Sequence, residues 1–460
     1  MTNIKLNSNI ILDTSNIDFV GKIIKQNTFE NPAYISNAEN HRSNWQTAPT
    51  IITYHREGES LILPRGYMRD LIKLFHDNNI TPNIIDERSS QPCSYPETLQ
   101  GITLRPYQKR AVDEAMKYDQ GVLISPTGSG KSLIGLEIIR QRKQKTLIIV
   151  HRSELAKQWI DVIKERLGLT AGFIGDGHWE IGNEITVALM QSLSARANET
   201  KALSNVFGLL VHDEIHHVPA QTFFDVISLL AAKFRYALSA TINRRDGLEP
   251  MIYRAIGPAI ATITRQEVED MGATVPAIVF AISTNFNPGL VNSWHEYLDS
   301  LTINTERNLL ILSLAQARLE KKGAVLILVD RVAHSEQLSE MLTRRNVDHV
   351  IAHGKIKDRE NLMEKIKSSK LTIGTTSLLG EGIDVSVWST LILAAPISSE
   401  IKLLQAIGRI VRPCADGKEN ALVYDLKDDC GFAGASFNKR FAIYKKNKIW
   451  VEFEKKKNAA

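Results

Sequence analysis

Gly121-Val-Leu-Ile-Ser-Pro-Thr-Gly-Ser-Gly-Lys-Ser132, running on into Leu133-Ile-Gly-Leu-Glu-Ile-Ile-Arg140, reads as strand, tight loop and helix. The loop is built of small residues, so its backbone N–H groups can turn inward around phosphate oxygens, and the helix that follows presents its positive dipole end to the same anion. In that arrangement Lys131 reaches the β/γ-phosphates and Ser132 holds Mg²⁺. Ser125 stands where the usual pattern begins with Gly, and Pro126, Thr127, Gly128, Ser129 and Gly130 complete the cradle. A mere Gly/Ser connector is the competing reading. Lys-Ser directly after Gly, between an apolar strand and an apolar helix, argues against it.

The chain has 460 residues, 43% hydrophobic and 23% charged, which is an ordinary soluble composition with room for about three domains. Cys93, Cys414 and Cys430 are odd in number, far apart and in no metal-ligand spacing. They argue against disulfides and zinc and for a reducing compartment. The opening Met1-Thr-Asn-Ile-Lys-Leu-Asn-Ser8 is polar and no apolar run approaches a membrane span, so the expectation is a cytoplasmic protein without membrane contact. A net charge of +5 permits a polyanionic partner and equally fits a solvated surface.

Residues 1–98 carry no phosphate loop and no catalytic constellation, yet look folded as a small α+β accessory domain. Ile51–His55 and Ser60–Leu63 flank Arg56-Glu-Gly-Glu59 as a hairpin, and Tyr67–Phe75 has helical apolar spacing after the Pro64-Arg-Gly66 break. Basic and aromatic residues here, among them Arg42, Trp45, Arg56 and Arg65, can meet a nucleic-acid backbone or sit on an ordinary face. Ser89-Ser-Gln-Pro-Cys-Ser-Tyr-Pro96 reads as a linker. Leu104-Arg-Pro-Tyr-Gln108 then starts a helix upstream of the phosphate loop, and a Gln has both the donor and the acceptor needed to read an adenine edge.

Beyond the loop, strands Thr146–Val150, Ile185–Leu189, Val206–Val211 and Tyr236–Ala240 alternate with helices, predicting a largely parallel sheet covered on both faces. Ligands in such sheets bind at the carboxyl ends of the strands, so the residues after each strand matter. Arg152 and Lys157 follow the first and Gln191 the second. They can hold phosphates of a strand laid over the sheet, or Ser153 can be a helix cap and Lys157 a solvated charge. His212-Asp-Glu-Ile-His-His217 follows the third. There Asp213 suits the Mg²⁺ shell and Glu214 the attacking water, with His216 sensing the nucleotide or relaying to the next motif. The histidines do not match a zinc-protease helix, which needs His-Glu-x-x-His. Ser239-Ala-Thr241 puts two hydroxyls at the fourth strand's end, within reach of the acidic pair.

A second alternation follows the boundary region Thr264–Pro276, with strands Val325–Val329, Asp348–Ala352, Leu371–Thr375, Thr390–Ala394 and Ala421–Asp425. It has no phosphate loop of its own. It carries Thr375-Thr-Ser-Leu-Leu-Gly-Glu-Gly-Ile-Asp384, whose Asp384 can approach a ribose, and Gln405-Ala-Ile-Gly-Arg-Ile-Val-Arg412. Arg409 and Arg412 fall at i, i+3 of a helix and suit the charge developing on a γ-phosphoryl group. Lys439-Arg440, Lys445–Lys448 and Lys455–Lys457 read as solvated charge, with attraction to a nucleic-acid backbone the alternative.

Taken in order, these motifs resemble those of superfamily-two helicases of the DExH type, across about residues 101–430. Asp213-Glu-Ile-His-His-Val-Pro-Ala220 and Ile351-Ala-His-Gly-Lys355 resemble the XPB and phage UvsW-type group in particular, and Phe29–Tyr34 with Ile62–Gly66 resemble that group's N-terminal domain more loosely.

The resemblance implies an accessory domain over 1–98, RecA-like domains over 99–275 and 276–440, and a basic tail over 441–460. It implies ATP with Mg²⁺ as the cofactor set. Arg105, Gln108, residues 126–132, Gly382 and Asp384 would hold the nucleotide, and Ser132 and Asp213 the metal. Lys131, Asp213, Glu214, Arg409 and Arg412 would carry catalysis, and His216, Ser239, Thr241 and Gln405 would couple it to motion. DNA contacts would come from Arg152, Gln191, Gly354, Thr376, Arg56 and Arg65. The implied activity is ATP-driven unwinding and remodelling of branched or forked duplex DNA, meaning fork regression and branch migration, by a chain expected to be monomeric. An RNA helicase, a restriction-type translocase and an ATP-dependent binding switch without unwinding are the rivals. A small-molecule kinase would leave the second sheet and its arginines unexplained.

Overall fold

Thr146-Leu-Ile-Ile-Val150 shows no polar alternation, so it can be stable as a strand only with both faces covered, and all five of its residues are buried. It lies in the middle of an eight-stranded sheet. The order is His178–Trp179, Gly172–Gly175, Ile185–Leu189, Thr146–Val150, Leu209–Asp213, Phe234–Ser239, Gln120–Ile124 and Ala259–Thr262. Neighbours are parallel, apart from the antiparallel pair at the His178–Trp179 edge. The strand expected over 206–211 runs instead from Leu209 to Asp213. Phe207 is a buried plug ahead of it, and Asp213 becomes its last residue. Gly172–Gly175 and Ala259–Thr262, both unforeseen, are short, and half of each is Gly or Ala, which have weak strand preference.

This computed structural model describes residues 2–241, 246–291, 293–356, 358–379, 387–413, 418–428 and 431–453. The chain divides into two units, Met1–Pro126 with Gly130–Thr264 and Thr127–Ser129 with Arg265–Ala460. The second holds a seven-stranded parallel sheet ordered Val350–Ala352, Leu371–Thr375, Val325–Val329, Thr390–Leu393, Ala421–Lys427, Ala277–Ser283 and Trp450–Phe453. Apolar clusters cover both of its faces. The architecture is therefore α/β, with two RecA-like parallel sheets and an α+β N-terminal region. The expected basic tail over 441–460 is corrected in part: Trp450–Phe453 is an edge strand of this sheet. Arg440, expected to be solvated, is buried and pairs at 2.7 Å with the equally buried Asp425.

In the N-terminal region five strands, ordered His55–Glu57, Ser60–Leu63, Ile10–Asp13, Asn3–Leu6 and Asn83–Asp86, pack on the helix Met68–Asp77 through Leu71, Leu74 and Phe75. The hairpin is shorter than expected. Gly58, at φ 59°, makes the turn, with Glu57 opposite Ser60, so Arg56 lies within a strand. Thr50–Ile52 pairs elsewhere, with Thr28–Glu30.

Two expectations for this region are overturned. Arg65 is not a surface residue for DNA. It is only 1% exposed, and its guanidinium donates to the Ala232 carbonyl at 2.5 Å and the Lys233 carbonyl at 2.7 Å, at the start of Phe234–Ser239. Nor is Ser89–Pro96 a loose linker. Ser89 N–H donates to Ala231 O, and the buried Tyr95 hydroxyl donates to Gln144 O at 2.9 Å. A basic residue after a Pro and before a Gly reads as surface; what reverses this is a pair of backbone carbonyls that its guanidinium satisfies.

Candidate active site

The strand Phe234–Ser239 lies between Leu209–Asp213 and Gln120–Ile124, so the segments leaving Ile124, Ser239 and Asp213 are neighbours at the carboxyl end of the sheet. Ser125 N–H donates to Ser239 O at 2.8 Å and Glu214 N–H to Leu238 O at 2.9 Å, which locks these exits together. After Ile124, Gly128 and Gly130 take φ of 86° and 81°. Residues with a Cβ rarely adopt this conformation, and it curls the loop's N–H groups toward one point. Gly130 is the N-cap of the helix Lys131–Arg142. A Cβ on Gly130 would also lie 2.4 Å from Gln108 Nε2, so the Gln108 amide is seated against the phosphate loop. Its Oε1 accepts from Arg105 N–H at 2.8 Å.

Asp213 Oδ2 accepts from the Trp159 indole N–H at 2.9 Å, whereas Oδ1 is buried without a hydrogen-bond partner. Burial raises the Asp213 carboxyl above its ordinary value and the adjacent Glu214 charge adds to this, with Lys131 opposing. Glu214 has left-handed backbone, φ 53°, a conformation that a non-glycine keeps only where the surroundings enforce it. Its carboxylate is thereby turned so that Oε1 lies 3.0 Å from Lys131 Nζ and Oε2 lies 3.3 Å from His216 Nδ1. His216 Nδ1 is also 2.9 Å from Ser239 Oγ, whose hydroxyl donates to Thr241 O. Lysine, acid, imidazole and hydroxyl thus form one chain from the phosphate loop to the end of the neighbouring strand. Asp213 Oδ1 and the Ser132 hydroxyl are hard oxygen donors of the kind Mg²⁺ takes, and an orphaned buried carboxylate oxygen fits such a cation.

Residues 101–244 match the family described as "Type III restriction enzyme, res subunit", and residues 306–414 match "Helicase conserved C-terminal domain". The chain belongs to the superfamily-two helicases. It is thus an ATP-hydrolysing enzyme. "Probable helicase D10" of Escherichia phage T5 is 26% identical over 82% of this chain and 82% of its own length. "DNA 3'-5' translocase XPB2" of Sulfurisphaera tokodaii is 27% identical over 75% of this chain and 86% of its own. Among solved structures, S. cerevisiae Dbp5 bound to RNA and ADP BeF3 covers 76% of this chain and 89% of its own at 18% identity and a TM-score of 0.55, a likeness of fold.

The helicase positions its acidic pair with a residue that the motif spacing does not single out. Trp159 is buried on the helix Ser153–Leu167, and its N–H orients Asp213. Room for the ring comes from Gly135, where a Cβ would lie 2.9 Å from both Trp159 Cη2 and Leu238 Cδ1. The available signal was chemical, since a core indole needs an acceptor. His212, read beside the zinc alternative, packs edge-on to Phe223 at 4.8 Å. Burial, with His151 and His216 nearby, pushes it down to about 3, so it is a neutral core residue. No metal-holding cluster of three His, Cys, Asp or Glu occurs among the described residues.

Of the remaining expected residues, Gln191 and Gly354 are exposed and Arg152 and Thr376 half-buried. Ser153 is the first residue of its helix, and the N-cap position belongs to Arg152. Gln405 and Arg409 are buried on the helix Glu400–Ile410. That helix ends with Val411, whose backbone is still right-handed helical, as its C-cap, so Arg412 is the next residue beyond it. Gly382 and Asp384 lie outside the described residues.

Proposed function

We propose that this helicase is a DNA translocase that unwinds and remodels branched or forked duplex DNA, in fork regression and branch migration during recombination, repair or replication. The observation that carries the ATP-driven part is the chain Lys131–Glu214–His216–Ser239. Before nucleotide binds, Lys131 and Glu214 neutralise each other. An incoming triphosphate draws Lys131 to the β/γ-phosphate oxygens, and Glu214 then takes the proton from the attacking water. Ser132 and Asp213 would hold Mg²⁺, which would supply charge neutralisation at the phosphates. His216 registers the change at Glu214 and passes it to Ser239 and Thr241. Arg409 and Arg412 would stabilise the γ-phosphoryl charge, with Gln405 on the same helix as Arg409. Gln108 and Arg105 read the base, joined by Gly382 and Asp384 at the ribose.

DNA as the substrate is supported by the description of the XPB2 relative as a DNA translocase. Arg152, Gln191, Gly354 and Thr376 would contact the tracked strand and Arg56 the duplex, mainly through phosphates. The test is a panel of labelled forks, four-way junctions, blunt DNA duplexes and RNA duplexes with ATP. Forks and junctions are expected to be remodelled by the wild type and by no Glu214→Gln protein. Preferential unwinding of RNA duplexes would reassign the substrate, and ATP turnover without strand separation on any substrate would make the chain a binding switch.

A further inference from the structure

Trp45 is 92% exposed, a large apolar surface left in water on a loop that is otherwise firmly built. Asn31 N–H donates to Pro49 O at 3.0 Å and Asn31 Nδ2 to Ala48 O at 2.8 Å. Asn44 Nδ2 donates to Tyr34 O at 3.1 Å, and Arg42 N–H to Asn37 O at 2.7 Å. The indole is therefore presented by a fixed frame, the helix Pro32–Glu39 and the ribbon of Thr28–Glu30 with Thr50–Ile52. Between Asn40 and Thr50 the exposed loop carries His41 and Arg42 and no carboxylate, so the charge around the ring suits a polyanion.

The frame stands on the segment that leaves the catalytic strand. A Cβ at Gly247, six residues after Thr241, would meet Pro32 Cγ at 3.0 Å. Ile51 packs on the core cluster that includes Met251 and Ile252. Arg254 donates to Gln26 O at 3.0 Å and lies 5.8 Å over the Phe29 ring. The base of the frame is thus tied to the helix Glu249–Ile256, which follows the Ser239–Thr241 end of the relay.

We propose that Trp45 stacks on an unpaired nucleobase where the two strands of a fork part, acting as a wedge that holds separated bases apart. This rests on the DNA-translocase reading and adds to it a residue that recognises unstacked bases. An aromatic face suits any base, needs no sequence, and gains only where a base has lost a stacking neighbour. Arg42 and His41 hold the adjoining phosphates.

The test uses the full chain as wild type, Trp45→Ala and Trp45→Phe, binding two DNA forks identical except that one carries abasic residues at the branch point. Wild type is expected to prefer the normal fork by about 5- to 150-fold, the range for one aromatic–base stack. Trp45→Ala should bind both forks equally, Trp45→Phe should keep most of the preference, and ATP turnover without DNA should match wild type in both variants. A Trp45→Ala protein that discriminates the forks as wild type does overturns the proposal. So does a wild type that self-associates while Trp45→Ala is monomeric, because the indole then serves a contact between copies. A wild type that separates no DNA strands refutes the translocase reading itself, whereas one that unwinds forks but binds them without regard to Trp45 refutes only the wedge.

Discussion

Glu214 and Trp159 show how differently two residues of one site are written into a sequence. Glu214 is legible because two carboxylates at the end of an apolar strand, downstream of a phosphate loop, have few other uses. Replacing it with Gln keeps its size and removes the proton acceptor. ATP binding should survive while turnover falls by about 10²–10⁴-fold, the usual scale for a general base, and single-turnover hydrolysis beside nucleotide titration checks both halves. Trp159 was not legible, because nothing in its spacing distinguishes a core ring from one that aims a carboxylate. Its N–H donates to Asp213 Oδ2, so Trp159→Phe removes a hydrogen bond from that buried carboxylate. A loss of about 1–3 kcal/mol in stability is expected, read as a lower denaturant midpoint at unchanged slope. Arg409 and Arg412 are legible as types, with Arg409 inside the helix that stops at Ile410 and Arg412 just past its C-cap. If they act at the γ-phosphate, Arg409→Ala should reduce turnover by about 10³–10⁵-fold and leave ATP affinity within a few-fold; turnover near wild type would remove it from catalysis.

Among elements, the central strands were legible from apolar runs bounded by turns, and the edge strands were not, because they are short and take their shape from the neighbour they pair with. The helices of the second unit hold a buried polar cluster that no periodicity announces. Arg307, in the helix Thr305–Glu320, pairs with Asp428 at 2.8 Å and donates to Ala394 O at 2.6 Å. Asn308 Oδ1 lies 2.9 Å from His334 Nε2 on the helix Val332–Thr343. Burial, with the Arg307 charge nearby, pushes His334 down to about 3 from an ordinary 6.5. The unfolded chain therefore binds a proton below 6.5 that the folded chain refuses, and stability is present above 6.5 and lost as pH falls toward 3. Between pH 6.5 and 5 this group contributes a loss of about 2 kcal/mol, at about 1.4 kcal/mol per pH unit. Thermal melts of wild type and His334→Gln over that range test the sign. The variant should show the shallower decline, and parallel curves would mean that His334 is protonated in the fold.

At the scale of the whole molecule, the N-terminal sheet and the first RecA-like sheet form one unit, a union that motif spacing could not reveal because it is made by single residues with surface-like character. Arg65 fills two carbonyls ahead of the strand Phe234–Ser239, and its own carbonyl accepts from Gln120 Nε2 at 2.8 Å at the start of the phosphate-loop strand. Gly66 is needed for the approach, since a Cβ there would lie 2.0 Å from Tyr253 O. Deleting residues 1–98 would therefore remove more than a DNA-binding surface. It would strip the donors from Ala232 and Lys233 and lay open a buried seam, so a failure of that truncation on branched DNA would not report on recognition. Arg65→Ala and Arg56→Ala separate the two effects. Arg65→Ala leaves two carbonyls without their charged donor, at about 1.5–3 kcal/mol for each such bond, and should lower the melting temperature and speed amide exchange in both sheets. Arg56 is exposed, so its loss should cost within about 0.5 kcal/mol of stability. Arg56→Ala should instead weaken fork binding and flatten its salt dependence by about one phosphate contact. Fork affinity measured across a salt series in a protein with wild-type melting behaviour decides whether this face meets the phosphate backbone: an unchanged slope would place the DNA elsewhere.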